Sequence, residues 1–339
     1  MQKELLLGKT LEELEQLVDE IGLQHFVAKQ ISEWLYKKFV VTIDEMTNVS
    51  AKVREELNLK YEIGRVAPVK VQASIDGTKK YLYPAQNNKY IETAYIPENE
   101  RATLCVSSQV GCKMGCKFCM TAKQGFQGNL SAGEIINQII SLPERNKISN
   151  IVYMGMGEPL DNIDEVLKSL KILTSEWGFA MGPKRITVST IGIIPVLRRF
   201  ISESNCHLAI SLHSPFDEER RKLMPMQSVY PIKEVLTEVK KTHFGLQRRI
   251  SFEYIMFKGL NDTPVHVKEL LRLLNGLRCR INLIKFHPIP GSALESSDDN
   301  TVESFKNALN SKGIITKLRQ SRGLDIYAAC GLLSTKNEC

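Results

Sequence analysis

From Thr103 onward the chain alternates short apolar runs with amphipathic helical patterns, and this alternation constrains the fold more than any other feature. The apolar runs are Thr103–Ser107, Asn150–Met154, Arg185–Ser189, His207–Ser211, Ile250–Met256 and Arg280–Phe286. Helical spacing falls between them over Ser131–Leu142, Ile163–Trp177, Ile194–Ser202, Ile232–Thr242 and Val265–Asn275, and a last helix, Val302–Asn310, follows the sixth run. Runs that are nearly continuous in apolar residues predict strands of a parallel sheet buried on both faces. Six βα units are too few to close an eight-stranded barrel. The pattern therefore predicts an α/β fold, a partial (βα)6 TIM-like barrel, with a flat doubly wound sheet as the alternative. In either, functional residues belong at the C-terminal ends of the strands.

The preceding residues read differently. Thr10 and Glu13 form a capping box, and Leu11, Leu14, Leu17, Val18 and Ile21 follow at helical spacing until Gly22 stops the helix. A second helix is expected over residues 25–39, with Phe26, Ile31, Trp34, Leu35 and Phe39 on its buried face, and a third over Ala51–Leu57. Residues 1–62 thus predict a small all-helical domain, either an RNA-carrying accessory or a packing or dimerisation module. Residues 63–98 predict a β-rich linker, with Asp76-Gly77 as a hairpin turn and YIETAYIP as a further strand. The core is expected over 99–325 and a separate C-terminal segment over 326–339.

The net charge of +7 is unevenly spread: residues 1–60 hold 8 Lys/Arg against 11 Asp/Glu, and the remainder 37 against 27. A basic main body suits a polyanion such as RNA, and equally a solvated basic surface. Arg198, Arg199, Arg220, Arg221, Lys222, Arg248, Arg249, Lys317, Arg319 and Arg322 are the candidate phosphate contacts. No apolar run approaches the roughly 18 residues that span a bilayer. Eight cysteines without a secretory signal predict a cytoplasmic protein whose thiols serve a metal or catalysis.

Cys112, Cys116 and Cys119 stand in C-x3-C-x2-C spacing directly after the first core strand. Three thiolates can grip three irons of a four-iron cluster and leave the fourth open, whereas an electron-transfer cluster or a structural zinc wants four protein ligands. Lys113, Lys117 and Lys123 would offset the cluster's negative charge. Cys105, on the strand before, is a possible fourth ligand on spacing alone. The other readings of the trio are a zinc site or buried free thiols. Gly157 and Glu158, in GMGEP after the second strand, combine close backbone approach with a carboxylate that can pair with an ammonium. Glu92 alone passes as an exposed strand acid, His207 as a satisfied core histidine, and Cys206, Cys279 and Cys330 as structural thiols. Cys339 reads as incidental.

The C-x3-C-x2-C spacing, with Phe118 before its last cysteine, resembles the radical S-adenosylmethionine superfamily. The longer string CVSSQVGC…C.FC.TA.QGF..NL, together with ETAYIP and DIYAACG, resembles the RlmN family of RNA methyltransferases, with the antibiotic-resistance methyltransferase Cfr as a near relative. The resemblance covers essentially the whole chain. It implies a [4Fe-4S] cluster on Cys112, Cys116 and Cys119. It implies S-adenosylmethionine contacts at Gly157, Glu158, Ser189, Ser211, Leu212 and His213. His287 would be a further contact, although many relatives carry Asn there. It also implies a general base at Glu92, a methyl carrier at Cys330 and a resolving thiol at Cys105.

The reaction implied consumes two molecules of S-adenosylmethionine. One methylates Cys330; the other yields a radical that activates this methyl group for addition to C2 of adenine. Loss of an electron and of the C2 proton leaves a protein–RNA thioether, which Cys105 resolves as a Cys105–Cys330 disulfide. The implied substrates are an adenosine of 23S rRNA in the peptidyl-transferase loop and adenosine 37 of some tRNAs. The target base must be unstacked to react. An electron donor such as flavodoxin is the expected partner, and the chain is expected to be a monomer. Methylation at C8, as in Cfr, is the near alternative. A non-catalytic iron–sulfur protein that binds RNA or transfers electrons is the distant one.

Overall fold

The computed structural model describes residues 3–242, 244 and 248–335; Cys339 lies outside them. A ten-stranded sheet runs through the molecule. Its strands are β1 (Lys70–Ala73), β2 (Lys79–Ala85), β3 (Lys89–Glu98), β4 (Arg101–Cys105), β5 (Asn150–Tyr153), β6 (Ile186–Thr190), β7 (His207–Ser211), β8 (Ile250–Met256), β9 (Cys279–Lys285) and β10 (Ile315–Leu318). From β1 to β4 neighbours pair antiparallel, and from β4 to β10 they pair parallel.

The order across the sheet is the order along the chain. A doubly wound sheet reverses its order at a switch point, and this sheet never does. Right-handed crossovers that always step the same way place every helix on one face, so the sheet curls into a partial barrel with an open inner face. The flat alternative is thereby excluded.

The crossover helices are α5 (Ala132–Ile140), α6 (Ile163–Thr174), α7 (Ile194–Glu203), α9 (Ile232–Lys241), α10 (Pro264–Leu273) and α11 (Asp299–Ser311). A five-residue helix, α4 (Met120–Gln124), precedes α5, and α8 (Asp217–Leu223) precedes α9. Side chains identify the two faces. Thr93 on β3 donates to Gln138 of α5 (2.7 Å), the Tyr153 and Ser169 hydroxyls meet at 2.8 Å, and Tyr254 stacks on Phe305 of α11. Those positions face the helices. Because strand side chains alternate, Glu92, Ala94, Val152 and Glu253 face inward.

All six expected strands form, and β10 is a seventh parallel one. Its sequence, ITKL, buries only Thr316, so it carries no apolar signal. α8 also escaped the pattern, being short and mostly charged. The inner face is not apolar throughout. Ser211, Glu253 and Asn282 lie level across β7, β8 and β9.

The N-terminal region contains α1 (Leu11–Glu20), α2 (His25–Glu33) and α3 (Ala51–Lys60). Thr10 and Glu13 cap α1 reciprocally. The second helix continues from α2 through a π-helical turn at Trp34–Lys38 and ends at Phe39 in the left-handed region. Phe26 is not buried as expected; it is 55% exposed. The region is also not purely helical, since Glu4–Leu5 pairs parallel with Tyr61–Glu62. The stretch after it is β-rich, and its strands β1–β3 extend the barrel sheet antiparallel from β4. Their Asp76-Gly77 turn has Gly77 at φ +84°, the conformation a DG hairpin turn demands.

Candidate active site

The expected site residues gather at the C-terminal ends of the parallel strands. Cys105 ends β4, Ser189 lies near the end of β6, and Ser211 ends β7. Gly157 and Glu158 follow β5, and His287 follows β9. The three-cysteine loop leaves β4 and returns through a short antiparallel pairing of Gln109–Val110 with Gly128–Asn129. Cys112 is buried, and Cys116 and Cys119 are partly accessible.

The three thiols interact electrostatically. Burial pushes Cys112 up to about 12 and Cys116 well above its ordinary value, and the neighbouring cysteines add to both shifts. A trio of crowded thiols is a poor resting arrangement unless something stabilises the thiolates, which is what iron does. Among the described residues no three His, Cys, Asp or Glu side chains are grouped as a metal-ion site. A four-iron cluster takes one thiolate per iron and does not require that convergence.

The loop lysines have partners of their own or face solvent. Lys113 pairs with Asp161 at 2.7 Å, Lys123 donates to the Pro290 carbonyl, and Lys117 is exposed. The cation that acts on Cys116 is Arg220, 1% exposed. Its guanidinium donates to the carbonyls of Leu212 (3.1 Å), Ser211 (2.9 Å) and Ile191 (3.3 Å) and to Gln227. Arg220 therefore ties the ends of β6 and β7 together and is not a phosphate contact.

One more of the candidate phosphate contacts fails for the same reason: Arg248 is spent on the carbonyls of Phe200, Ile201 and Cys206. Arg319 faces Glu253 at 3.5 Å. Arg198, Arg199 and Arg221 are paired with acids. Lys222, Arg249 and Lys317 are exposed, and Arg322 is half-buried beside Gln320.

Gly157 has φ +101°, and a Cβ there would stand 2.5 Å from that of Gln109. Only glycine fits. The Gln109 side chain in turn accepts the Glu158 N–H (2.9 Å). Glu158 is buried, and its two oxygens accept the N–H groups of Leu160 (3.1 Å) and Ile191 (3.0 Å). Burial pushes this carboxyl up to about 7 despite those donors. An ammonium group beside it would favour the carboxylate, so the site fits an aminoacyl cofactor.

His213 has φ +55° and is buried. Its Nδ1 accepts the Ile255 N–H at 3.0 Å, its ring meets Phe118 edge-on, and burial pushes it down to about 3. It is a neutral histidine. Leu212 is buried behind it. His287 is half-buried and its Nε2 meets the Ser321 hydroxyl at 2.6 Å. His207 accepts the Arg249 N–H and is a satisfied core histidine.

The C-terminal segment brings Cys330 to this place. Thr121 of α4 donates to the Leu333 carbonyl (2.7 Å), and Gln124 bonds Ser334 and Thr335. Met120 donates to the Gly331 carbonyl at 2.7 Å. Cys330 is consequently within electrostatic reach of Cys119 on one side and Cys105 on the other. Its surface is accessible while neighbouring protein crowds the thiol, and this burial pushes it up to about 11. Cys105 sits deeper, packed with Ala94, Val152, Met154, Ile326 and Ala328.

Glu92 is not the exposed acid that its sequence context suggests. It is 1% exposed, paired with Lys80 at 2.7 Å, and accepts the Ser334 N–H at 2.8 Å. The sequence reading missed Lys80, Glu253 and Asn282 altogether. Glu253 accepts from Asn282 (2.7 Å) and faces Arg319 (3.5 Å). The available signal was an acid at an alternate position of an otherwise apolar strand, ISFEYIM.

Known proteins resemble this chain along its length. Residues 5–63 match the ribosomal RNA large subunit methyltransferase N-terminal domain, and residues 106–274 match the radical SAM superfamily. A probable dual-specificity RNA methyltransferase RlmN of Bacteroides thetaiotaomicron is 59% identical over 100% of this chain and 98% of its own. A dual-specificity RNA methyltransferase RlmN of Nitratiruptor is 42% identical over 98% of each. The crystal structure of a radical SAM methyltransferase from Sphaerobacter thermophilus superposes with TM-score 0.91 at 37% identity, covering 97% of this chain and 99% of that one. The radical SAM superfamily implies a [4Fe-4S] cluster and S-adenosylmethionine. Two domain matches, full-length identity and a shared fold agree: the chain belongs to the RlmN family of radical SAM RNA methyltransferases.

Proposed function

We propose that the protein methylates C2 of an adenosine in 23S rRNA and in a subset of tRNAs, through a methylated Cys330 and a transient protein–RNA crosslink. The observation that carries this reading is the meeting of three remote segments: Cys105 at the end of β4, Cys330 on the C-terminal segment, and the three-cysteine loop. When bound, the cluster and S-adenosylmethionine supply the methyl group and the one-electron chemistry that activates it.

The chain's own residues then have separate tasks. Cys112, Cys116 and Cys119 would hold the cluster. Gly157 admits the cofactor close to the backbone, Glu158 pairs with its ammonium, and Ser189, Ser211, Leu212, His213 and His287 line the strand ends beside it. Cys330 is exposed enough to meet both cofactor and RNA. Glu92 would take the C2 proton once the Ser334 N–H has moved off its oxygen. In the last step the Cys105 thiolate attacks the Cys330 sulfur. The S–S bond forms, the S–CH2 bond breaks, and its electron pair goes to the released carbon, which gains a proton and becomes the methyl group. The cysteines are oxidised and the carbon is reduced.

On this reading residues 1–62 serve RNA binding, 99–325 the radical core and 326–339 the carriage of the methyl-bearing cysteine. Residues 63–98 join the first two. A flavodoxin-like donor would supply electrons, and the enzyme would act as a monomer. No helix among the described residues is long and apolar enough to cross a membrane.

The test is anaerobic turnover with a reductant and with rRNA or tRNA. Cys105→Ala should accumulate RNA covalently bound to protein, and Cys330→Ala should give neither adduct nor product. Free methylated RNA from Cys105→Ala at the wild-type rate would sink the assignment. Mass spectrometry of the methyladenosine isomer separates C2 from C8.

A further inference from the structure

Arg319 and Glu253 form a charge pair, the carboxylate buried and the guanidinium partly accessible, that none of the tasks above uses. Arg319 follows β10, and its backbone N–H donates to Leu283 of β9 (2.9 Å). Its guanidinium lies 3.5 Å from Glu253 and donates to the Met154 sulfur at 3.2 Å. Glu253 is held by Asn282 (2.7 Å) and Ser251 (3.3 Å). Met154 also packs against Cys105, so this cation is anchored beside the thiol pocket by three strands.

We propose that Arg319 is a positioning residue for the thiol pair, holding Cys105 as the anion when it attacks the Cys330 sulfur. The groups around Cys105 make the need plain. β3 contributes Ala94 and Ile96, β5 contributes Val152 with Met154 just after it, and the C-terminal segment contributes Ile326 and Ala328, all apolar. Two titratable side chains act on it: Cys330, which disfavours its anion, and Arg319, which favours it. Burial pushes the Cys105 thiol up to about 12 with Arg319 opposing the shift, so its thiolate is scarce at neutral pH and would be scarcer without that cation. Arg319 acts on Cys330 in the same sense. Glu253 and the Met154 sulfur hold the guanidinium beside the thiol pocket. The inference rests on Cys105 as the resolving thiol.

The same displacement can be run without RNA. Cys330 in the reconstituted holoenzyme is converted to its mixed disulfide with oxidised glutathione, and the excess is removed. The Cys105 thiolate then attacks the Cys330 sulfur, forming the protein disulfide and expelling glutathione thiolate, so electrons and atoms balance. Release is followed by quenched alkylation and peptide mass mapping. Arg319→Met, apolar and of similar length, should slow release about tenfold at pH 7.5, the effect of a tenfold smaller thiolate fraction. Arg319→Lys should stay within about threefold of wild type, because it keeps the charge. If Met at 319 prevents folding, Arg319→Gln carries the same comparison. Release from the neutral variant at the wild-type rate overturns the proposal, and so does a Lys variant as slow as the neutral one, which would mean packing and not charge. The RNA adduct of Cys105→Ala judges the reaction itself, so the two ideas fail separately.

Discussion

At the residue scale, the clearest chemistry belongs to Glu158. Burial lifts its carboxyl from 4.5 to about 7, the carboxylate being the form an ammonium ligand needs. The sign follows directly. Above about pH 7 the carboxylate is already present, and binding loses no further affinity to its protonation until the cofactor's own ammonium titrates at about pH 8. Below about pH 7, binding must first remove a proton, so affinity for S-adenosylmethionine should fall by about tenfold per pH unit down to the range of an ordinary carboxylate. Equilibrium dialysis of anaerobic holoenzyme at pH 5.5, 6.5 and 8 would measure it. Glu158→Gln should bind at least tenfold more weakly at pH 8 and show no such slope. A wild-type affinity that is flat from pH 5.5 to 8 would exclude the ammonium pairing. The turn bearing this carboxylate was legible in the sequence because GxGEP carries its own steric reason: at Gly157 nothing larger fits beside Gln109. Glu92 was not legible. A lone strand acid gives no sign of whether it will meet water or a buried lysine.

At the element scale, the C-terminal segment matters most, because it holds Cys330 in place from both ends. Its far end is gripped by α4 and Glu92. Its near end is clasped to the β1–β2 turn: Asp76 accepts the Gly323 N–H at 2.9 Å, and Asp325 accepts the Ser74 hydroxyl at 2.5 Å and the Ile75 N–H at 3.2 Å. Burial opposes ionisation of Asp76, but these donors and Thr78 outweigh it and hold the carboxyl down to about 2. A depressed acid stabilises the fold fully above its ordinary value near 3.8, and that contribution is lost as pH falls through about 2. The clasp should thus survive mild acid. Replacing both carboxylates, Asp76→Ala with Asp325→Ala, should let the segment lift from Cys105, which Ile326 and Ala328 cover. The expected outcome is several-fold faster alkylation of Cys105 by iodoacetamide, with Cys206 unchanged as the internal control. Equal rates at Cys105 would show that α4 and Glu92 suffice. Nothing in DIYAACG announces this clasp. Its partners stand about 250 positions apart, and hydrogen bonds of that range leave no local pattern.

At the scale of the whole molecule, the sequence yielded the strand–helix alternation and, from the count of six units, the partial barrel, with the flat sheet left open as the alternative. Chain order across the sheet excludes the flat fold, and the apolar runs alone could not reveal that order. The small helical domain was likewise legible as helices and illegible as a docked body. Tyr36, fully buried, donates to the Lys9 carbonyl (2.6 Å), accepts the Gly8 N–H (3.1 Å), and packs against Trp177 and Phe179 after α6. Gly8 and Gly133 touch backbone to backbone, so a Cβ on Gly133 would lie 2.4 Å from the Leu7 carbonyl oxygen. Arg65 closes the seam by donating to the Ile140 carbonyl (2.9 Å). One continuous apolar core runs from Leu14 and Ile31 into the barrel. Elements that share a core tend to open as one cooperative unit. Calorimetry should accordingly record one transition for the whole chain, with van't Hoff and calorimetric enthalpies in agreement. Tyr36→Ala, removing a buried aromatic at the seam, should destabilise that single transition by about 3–5 kcal/mol. Two resolved transitions in the wild type, of which only the smaller moves in Tyr36→Ala, would show instead that the helical domain rides on the barrel as an independent unit.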